Sequence, residues 1–467
     1  MLLGYHTVVP NLTRIQSTSF LKLSLPLILE VTFVIVVSNL VVWMLSAYDA
    51  SVAAGVSIAG QINNTIFLFF SIVSMGAGIL MAQSVGAKSN HRRQDIFSTS
   101  LFFAGLFAII GTIIYFIFYR EIFSFYQLEE SVQAFAEQYG LILAPFFFLN
   151  ALFLVFNQTL YAHGKTLEAF IALIFCDSSI LIFSYLLIFG VPVLGIPSLG
   201  VIGAAIAIVV GRVIYFFGLA FFIHRKLQLK FSVPLINPFK TKTTKLLFKV
   251  GSPAVFENIS YTFFMILITR IVASYGTNAL VAKAYFDSLA MFTYFIMAAL
   301  ANASAIKVGQ LVGGGEFVEA ESTIKYALRM SFISTLIPSL LLAIFMGVIA
   351  TLFSQDPIVI SLMVTMAFID IGLEFGRVLN VVVNRAIKAS GDARYPLISI
   401  IIVEWIIILP LAIFFGNQLQ LGLIGIWIAL AIDELIRGIN LWFRWKSKRW
   451  QHKSAKLNQH IHAQETN

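Results

Sequence analysis

The amino-acid sequence predicts an all-α membrane protein whose twelve transmembrane helices form two six-helix lobes related by an internal parallel repeat. Composition is the first observation behind this prediction, because 59% of the 467 residues are hydrophobic and only 11% are charged. A soluble chain carries about 25% charged residues. The second observation is a set of short motifs that recur at a fixed offset of 227 residues. The third is a series of apolar runs long enough to cross a bilayer.

The repeat is carried by polar residues, glycines and prolines, which makes it more specific than shared hydrophobicity. Gln83 and Gly86 recur as Gln310 and Gly313. Four further pairs obey the same offset: Pro26 and Pro253, Glu30 and Glu257, Asn157 and Asn384, Asp177 and Glu404. A shared Leu-Gly-x-Ile-Gly follows in each copy at an offset of 222, because one loop of the second copy is shorter. Repeats of this size are typical of transporters, which place the substrate path between two similar bundles.

Twelve apolar runs reach the length of about 20 residues that a membrane-spanning helix needs. The predicted spans are 19–45, 53–82, 96–118, 134–156, 167–190, 200–223, 247–273, 279–306, 323–350, 358–387, 395–416 and 422–444. Six spans per repeat is an even number, so both halves are expected to insert with the same orientation. Their pseudo-two-fold axis should then run along the membrane normal.

Lysine and arginine are concentrated in alternate connections, and this pattern predicts the orientation. The connections after spans 2, 6 and 10 and the C-terminal tail hold most of them, among them Lys88, Arg225, Arg385 and Lys388. Basic connections stay in the cytoplasm, so both termini are predicted to be cytoplasmic and the protein to lie in the inner (plasma) membrane. This topology accounts for the net charge of +9 without a nucleic-acid partner. Membrane lipid is the expected partner of the outer surface.

The same pattern gives the predicted domain boundaries. A cytoplasmic N-terminus (1–18) precedes the N-lobe (19–224), and a polar cytoplasmic linker (225–246) precedes the C-lobe (247–445). The basic tail (446–467) is predicted to be disordered because it is polar.

Several function classes are disfavoured by the residues present. Cys176 is the only cysteine, which excludes an intramolecular disulfide and a cysteine metal cage. The glycine-rich Leu-Val-Gly-Gly-Gly-Glu segment lacks the Lys-Ser/Thr of a phosphate-binding loop. His460 and His462 are only a weak metal signal, and no nucleophile–base arrangement is visible. We therefore expect no enzyme activity, no metal and no cofactor, and ion gradients are the expected energy source.

Five segments carry a resemblance to a known family. They are AQSVGAKSNHRRQ, QTLYAHGKTLEAF, LGVIGAAIAIVVGR, GQLVGGGEFVEA and RAIKASGDARYPL. With these motifs, residues 18–447 resemble the multidrug and toxic compound extrusion (MATE) family. The resemblance implies a monomer with two six-helix lobes around a central cavity. It also implies export of small organic solutes against an inward flow of Na⁺ or H⁺.

The sequence departs from the ion-site patterns of the better-understood branches of that family. Val41 stands where the proton-coupled branch has an acid in span 1. Val378 stands where the sodium-coupled branch has an acid in span 10. Neither pattern transfers, so the resemblance leaves the coupling ion open between H⁺ and Na⁺.

Charged residues inside the predicted spans are the candidate ion-coupling or substrate-binding residues. A charge at a helix centre costs about 2.5–3.5 kcal/mol on insertion scales, so it usually faces a protein interior or a wet cavity. Glu30, Asp177, Glu257 and Glu404 fall near the middle of their spans. The alternative is a structural role, with each carboxyl hydrogen-bonded to backbone groups of a distorted helix.

The second half carries charges that the first half lacks. Asp370, Glu374 and Arg377 replace uncharged residues at the corresponding first-half positions. This asymmetry predicts a specialised site in the C-lobe, with a structural Glu374–Arg377 pair as the alternative. For the acids and the arginine of the 433–437 segment, structural ion pairing is the favoured interpretation.

Two prolines are candidate bending points. Pro26 and Pro253 each lie one turn before a candidate glutamate, inside spans 1 and 7. Proline removes a helical hydrogen bond and so permits a bend.

Together these observations predict a secondary active exporter of organic solutes, drug-like and either amphipathic or cationic. The solute is expected to be antiported against H⁺ or Na⁺ by alternating access. A flippase of lipids or lipid-linked oligosaccharides is the alternative, because its spans would look similar. The substrate and the carboxylate that carries coupling stay open.

Overall fold

The computed structural model describes residues 9–124, 126, 128–230 and 242–454. Within these residues twelve long helices follow one another, and they match the twelve predicted spans in order. They are α1 (Val9–Tyr48), α2 (Ala50–Gly86), α3 (Asn90–Ser124), α4 (Glu130–Ala162), α5 (Thr166–Phe189), α6 (Gly200–Leu227), α7 (Lys242–Ala273), α8 (Thr277–Gly313), α9 (Phe317–Thr351), α10 (Pro357–Ala389), α11 (Arg394–Gln418) and α12 (Gly422–Lys446). The predicted all-α class is confirmed.

The helices have the composition of membrane spans. In the described part of the chain, eleven of them are long and apolar enough to cross a membrane. α12 is the exception, because two acids and an arginine lie in its central turns. Large apolar side chains point outward, such as Ile113 and Ile117 of α3 and Ile344 of α9, all more than half exposed. Such a surface is expected when the surrounding solvent is lipid.

The chain packs as two compact units. The N-terminal unit comprises Leu29–Met81 and Ser89–Val255, and the C-terminal unit comprises Met1–Ile28, Ala82–Lys88 and Phe256–Asn467. The division therefore falls inside α7 rather than in the predicted linker, part of which (231–241) lies outside the described residues. Phe248 of α7 packs edge-on against Phe103 of α3 at 5.2 Å, and Thr243 donates a hydrogen bond to Asp95. These contacts attach the first turns of α7 to the N-terminal unit.

Aromatic rings form the centre of the N-terminal unit. Phe147 of α4 is fully buried. The rings of Phe67, Phe70 and Tyr115 meet it edge-on at centroid distances of 5.9, 6.2 and 5.5 Å. Edge-to-face pairs of this kind add about 0.5–1.5 kcal/mol each beyond their buried area. This cluster fixes α2, α3 and α4 against one another.

In the C-terminal unit, apolar packing surrounds a helix with an irregular centre. Phe286 of α8 is fully buried and meets Trp427 of α12 edge-on at 5.4 Å. α11 widens into π-helical turns at Ile401–Ile408, and Glu404 lies on this segment. Local π-helical turns inside an α-helix occur frequently at functional sites.

The two copies of the Gln-x-x-Gly motif lie where α2 and α8 cross closely in the C-terminal unit. A Cβ atom at Gly86 would overlap the carbonyl oxygen of Gln310, and one at Gly313 would overlap that of Gln83. Gln83 also donates to the Ala389 carbonyl at 2.7 Å. Each copy of the motif thus supplies the glycine on which the other copy packs, which explains why both are present.

The beginning of the C-terminal tail is folded, whereas the sequence predicted disorder from residue 446. Residues 449–454 form a short helix, and residues 455–467 lie outside the described residues. Trp450 is fully buried, its ring stacks on Trp445 at 4.2 Å, and its Nε1 donates to the Trp445 carbonyl at 3.0 Å. The prediction was wrong here because one buried tryptophan outweighs the polar character of its neighbours.

Asp392, in the connection between α10 and α11, forms ion pairs with both α12 and this short helix. Asp392 accepts from Arg444 at 2.6 Å and from Lys453 at 2.5 Å. Its carboxylate is fully shielded from solvent, so both bases serve as its counter-charges.

Replacing Gly313 with Ala should destabilise the protein, because the new methyl group has no room beside α2. Overpacking costs typically about 1–3 kcal/mol. The matched control is Gly372→Ala in α10, where a Cβ would have no neighbour within 4 Å. Thermal unfolding of the purified variants should show a lower midpoint for Gly313→Ala only. Equal midpoints would contradict the tight crossing.

Replacing Trp450 with Ala should lower the unfolding midpoint strongly, because removing a buried Trp costs about 3–5 kcal/mol. Phe443→Ala is the control, since that side chain is 64% exposed. A Trp450→Ala midpoint that matches the control would mean that the tail helix does not pack as described.

Candidate functional site

A cavity of about 480 Å³ lies within the C-terminal unit. Helices α7, α8, α10, α11 and α12 line it. The charged residues in its wall are Glu257, Asp287, Asp370, Arg377, Arg385, Lys388, Asp433, Glu434 and Arg437. Three aromatic side chains, Tyr261, Tyr294 and Trp427, share the wall with them. The cavity therefore offers both signs of charge and flat apolar surface.

α10 contributes most to this wall because of its spacing. Its lining residues include Asp370, Arg377 and Asn384, seven residues apart. Positions seven apart lie on one face of a helix, two turns from each other. Asp356 caps the helix by accepting from the Ile358 backbone N–H at 2.8 Å, so the first turn is held in place.

Arg437 is the centre of a buried ion cluster. Its guanidinium contacts both carboxylate oxygens of Asp433, lies 3.5 Å from Glu434 and lies 3.4 Å from Glu404. Its Cζ atom also lies 5.9 Å from the ring centroid of Tyr261. Neither oxygen of Glu404 has a hydrogen-bond partner among the described residues. The positive charge of Arg437 therefore offsets the cost of burying the Glu404 carboxylate.

Arg377 connects this cluster to α10. It pairs with Glu374 one turn away, which was the structural alternative for these two residues, and lies 3.4 Å from Glu434 of α12. Asn380 donates to the other oxygen of Glu434 at 2.7 Å. The Cζ atom of the Arg377 guanidinium also lies 5.9 Å from the ring centroid of Tyr294. The two arginines thus face four carboxylates, and the cluster carries more negative than positive groups.

Glu257 stands at another part of the wall. Asn384 donates to its Oε1 at 2.7 Å, and the ammonium of Lys388 lies 2.9 Å from its Oε2. Arg385 and Lys388 were predicted to lie in the connection after span 10, but both lie inside α10. α10 continues to Ala389, and both side chains line the cavity. The interaction of Lys388 with Glu257 offsets the cost of burying its charge.

In the first half, the corresponding glutamate is bound by a hydroxyl group instead of an ammonium group. Tyr161 stands 227 residues before Lys388, and its hydroxyl donates to Glu30 at 2.5 Å. The glutamate and its partner therefore occupy repeat-related positions in both units. The partner is neutral in one unit and cationic in the other. Asn157 bonds to Tyr215 at 2.6 Å, whereas Asn384 bonds to Glu257.

The candidates divide between the two units. Glu257, Asp370, Glu374, Arg377 and Glu404 come together in or directly behind the cavity wall. Glu30 and Asp177 belong to the N-terminal unit. Asp177 is buried there, and Glu30 is partly buried. Pro26 and Pro253 lie inside α1 and α7, and bending at these positions stays a prediction.

Asp370 differs from the other acids of the cavity. Its side chain is 2% exposed, and its Oδ1 has no hydrogen-bond partner in the described part of the chain. The described ion pairs include none with Asp370. A buried carboxylate without a counter-ion is costly, so a proton or a cation would stabilise it.

Sequence reasoning missed one charged pair of the C-terminal unit. Lys283 and Asp287 are four residues apart on α8 and 2.5 Å apart in space. Both fall inside the predicted span 279–306, so the criterion used for the other candidates would have found them.

Replacing Arg437 with Gln should destabilise the protein, because three buried carboxylates would lose their shared counter-charge. Removing one partner of a buried ion pair costs about 3–5 kcal/mol. A second substitution, Glu404→Gln, should recover part of the loss by removing one of those charges. Unfolding midpoints of the wild type, both single variants and the double variant form the test. Additive losses would contradict the proposed coupling between the two side chains.

The fold and the cavity together define a class of protein. Twelve long helices in the described part of the chain, eleven of them apolar enough to cross a membrane, together with an internal repeat and a charged cavity within one repeat, are the architecture of a membrane transporter rather than of an enzyme. The MatE family model matches residues 26–186 and 253–414, two segments that begin 227 residues apart. The chain therefore belongs to the MatE family, and it is a multi-pass membrane protein.

Individual relatives cover nearly the whole chain. The uncharacterized transporter YisQ of Bacillus subtilis (strain 168) is 28% identical over 438 residues, which is 93% of this chain and 95% of YisQ. The probable multidrug resistance protein NorM of Thermotoga maritima is 22% identical over 418 residues, which is 89% of either chain. A crystal structure of MATE in the bent conformation shares the fold, with a TM-score of 0.85 at 18% identity over 94% of this chain and 97% of that one.

Proposed function

We propose that this protein is a secondary exporter of small organic solutes, which it exchanges for H⁺ or Na⁺. The observation that carries the proposal is the cavity of the C-terminal unit, where aromatic rings lie beside the buried Asp370, which forms no ion pair among the described residues. Tyr and Trp rings attract flat cationic solutes through stacking and cation–π interactions. The multidrug resistance name of the NorM relative agrees with this class of solute.

Asp370 is the proposed point of exchange. Because its carboxylate forms no ion pair within the described part of the chain, it can take either the coupling ion or the cationic group of a solute. The two cannot neutralise one charge together, so each lowers the affinity for the other. Binding of the ion favours one conformation of the transporter and binding of the solute favours the other, which is the requirement for exchange. Both ions stay possible, and separate gradients distinguish them.

A flippase of lipids or lipid-linked oligosaccharides is the second candidate. Four basic side chains line the cavity, as an anionic headgroup would require. Five acidic side chains line it too, and a phosphate-binding cavity would not be expected to contain them. The charge balance therefore supports the exporter.

The proposal predicts gradient-driven uptake of rhodamine 123, a flat organic cation, into inside-out vesicles that hold the purified protein. A pH gradient and a Na⁺ gradient are imposed separately, and one of them should drive uptake. Asp370→Asn should reduce the driven rate about tenfold or more, because the exchange site loses its charge. Asp356→Asn on the same helix is the control, since Asn also caps a helix.

Two outcomes would contradict this proposal. Uptake under neither gradient, with fluorescent lipids crossing the bilayer of the same vesicles, would favour the flippase. Full gradient-driven uptake by Asp370→Asn would remove Asp370 from the exchange mechanism.

A further inference from the structure

The part of the cavity around Lys388 has one positive charge in excess. Arg385 and Lys388 lie three residues apart on α10, so they share a helical face. Lys388 has Glu257 as its partner at 2.9 Å. Arg385 donates to the backbone carbonyl of Ala298, and the described residues provide no carboxylate within ion-pair distance of it. Two bases therefore face one acid.

Around Lys388, the hydrogen-bond donors of the cavity wall already surround one carboxylate, that of Glu257. Asn384 binds one oxygen of Glu257 and Lys388 approaches the other. The ammonium of Lys388 has three N–H groups and can be shared between two acceptors. The guanidinium of Arg385 has a planar set of donors that suits carboxylate oxygens. A second carboxylate placed between Arg385 and Lys388 would complete the charge balance.

The repeat indicates that this feature is specific to the second half. Tyr161 occupies the position of Lys388 in the first half, and Gln158 occupies that of Arg385. Tyr161 serves Glu30 as a neutral donor. In the first half, a neutral hydroxyl is therefore sufficient as the hydrogen-bond partner of the glutamate. The second half carries two positive charges where one neutral donor is sufficient.

We propose that Arg385 and Lys388 form an anion subsite, which binds a carboxylate of the transported solute. The solute class is then amphoteric, with a cationic group directed to Asp370 and a carboxylate directed to Arg385 and Lys388. This inference rests on the proposed function only in taking the cavity as the solute site. It adds a second point of recognition that a simple organic cation does not use.

The test compares two dyes that differ in one group. Rhodamine 110 carries a free carboxylate on the same cationic xanthene that rhodamine 123 carries with a methyl ester. Equilibrium binding of each dye to the purified full-length protein is measured by fluorescence anisotropy without any gradient. The wild type should bind rhodamine 110 about tenfold more tightly. Equal affinities, or no binding of rhodamine 110, would overturn the subsite.

Two substitutions locate the preference. Lys388→Tyr restores the first-half residue and should weaken binding of rhodamine 110 about tenfold while leaving rhodamine 123 within twofold. Glu257→Gln removes a competing carboxylate and should tighten binding of rhodamine 110 only. A merely structural role cannot produce this gain, so the second variant decides the matter if the first folds poorly. Equal changes for both dyes in Glu257→Gln would overturn the inference.

A matched control breaks a different lysine–carboxylate pair of the same unit. Lys283→Met removes the partner of Asp287 and should leave the ratio of the two affinities unchanged. A changed ratio would show that the preference reflects overall charge, which contradicts a local subsite. Gradient-driven uptake of rhodamine 123 with equal dye affinities would refute the subsite alone. A preference for rhodamine 110 without uptake of either dye would refute the exporter alone.

Discussion

The contact of Arg437 with three buried carboxylates is the interaction on which the C-terminal unit depends. A bare charge in a low-dielectric interior costs several kcal/mol, and repaying that cost takes close counter-charges and hydrogen bonds. α12 brings Asp433, Glu434 and Arg437 into one group, and the π-helical turns of α11 bring Glu404 to it. Asp433, Glu434 and Arg437 also line the cavity, so the cluster supplies part of its charge.

Duplication with divergence explains the two kinds of chemistry in one chain. Both halves keep a glutamate one turn after a proline, and both give it a partner from the equivalent helix. In the N-terminal unit the partner is the Tyr161 hydroxyl, and in the C-terminal unit it is the Lys388 ammonium. At this repeat-related position the positive charge is therefore present in the second copy and absent from the first.

Sequence reasoning reached the fold because periodic hydrophobicity and a repeat are properties of the chain itself. It also selected two of the five cavity acids, Glu257 and Asp370, since charge inside an apolar run stands out. It could not assign partners, because the contact between Glu257 and Lys388 joins residues 131 apart in sequence. It assigned Lys388 to a connection because sequence patterns locate the end of a helix only to within a few residues. The burial of Trp450 was missed for a similar reason: composition does not reveal a single ring that fits a gap.

The central claim is that the cavity of the second half binds the solute. Cysteine labelling tests it directly, because the native Cys176 is buried. Met291 lines the cavity, and Asn64 is its exposed counterpart 227 residues earlier. The rate at which a methanethiosulfonate reagent modifies Met291→Cys should fall when rhodamine 123 is added, and the rate for Asn64→Cys should not. Protection of Asn64→Cys without protection of Met291→Cys would place the solute elsewhere and contradict the account.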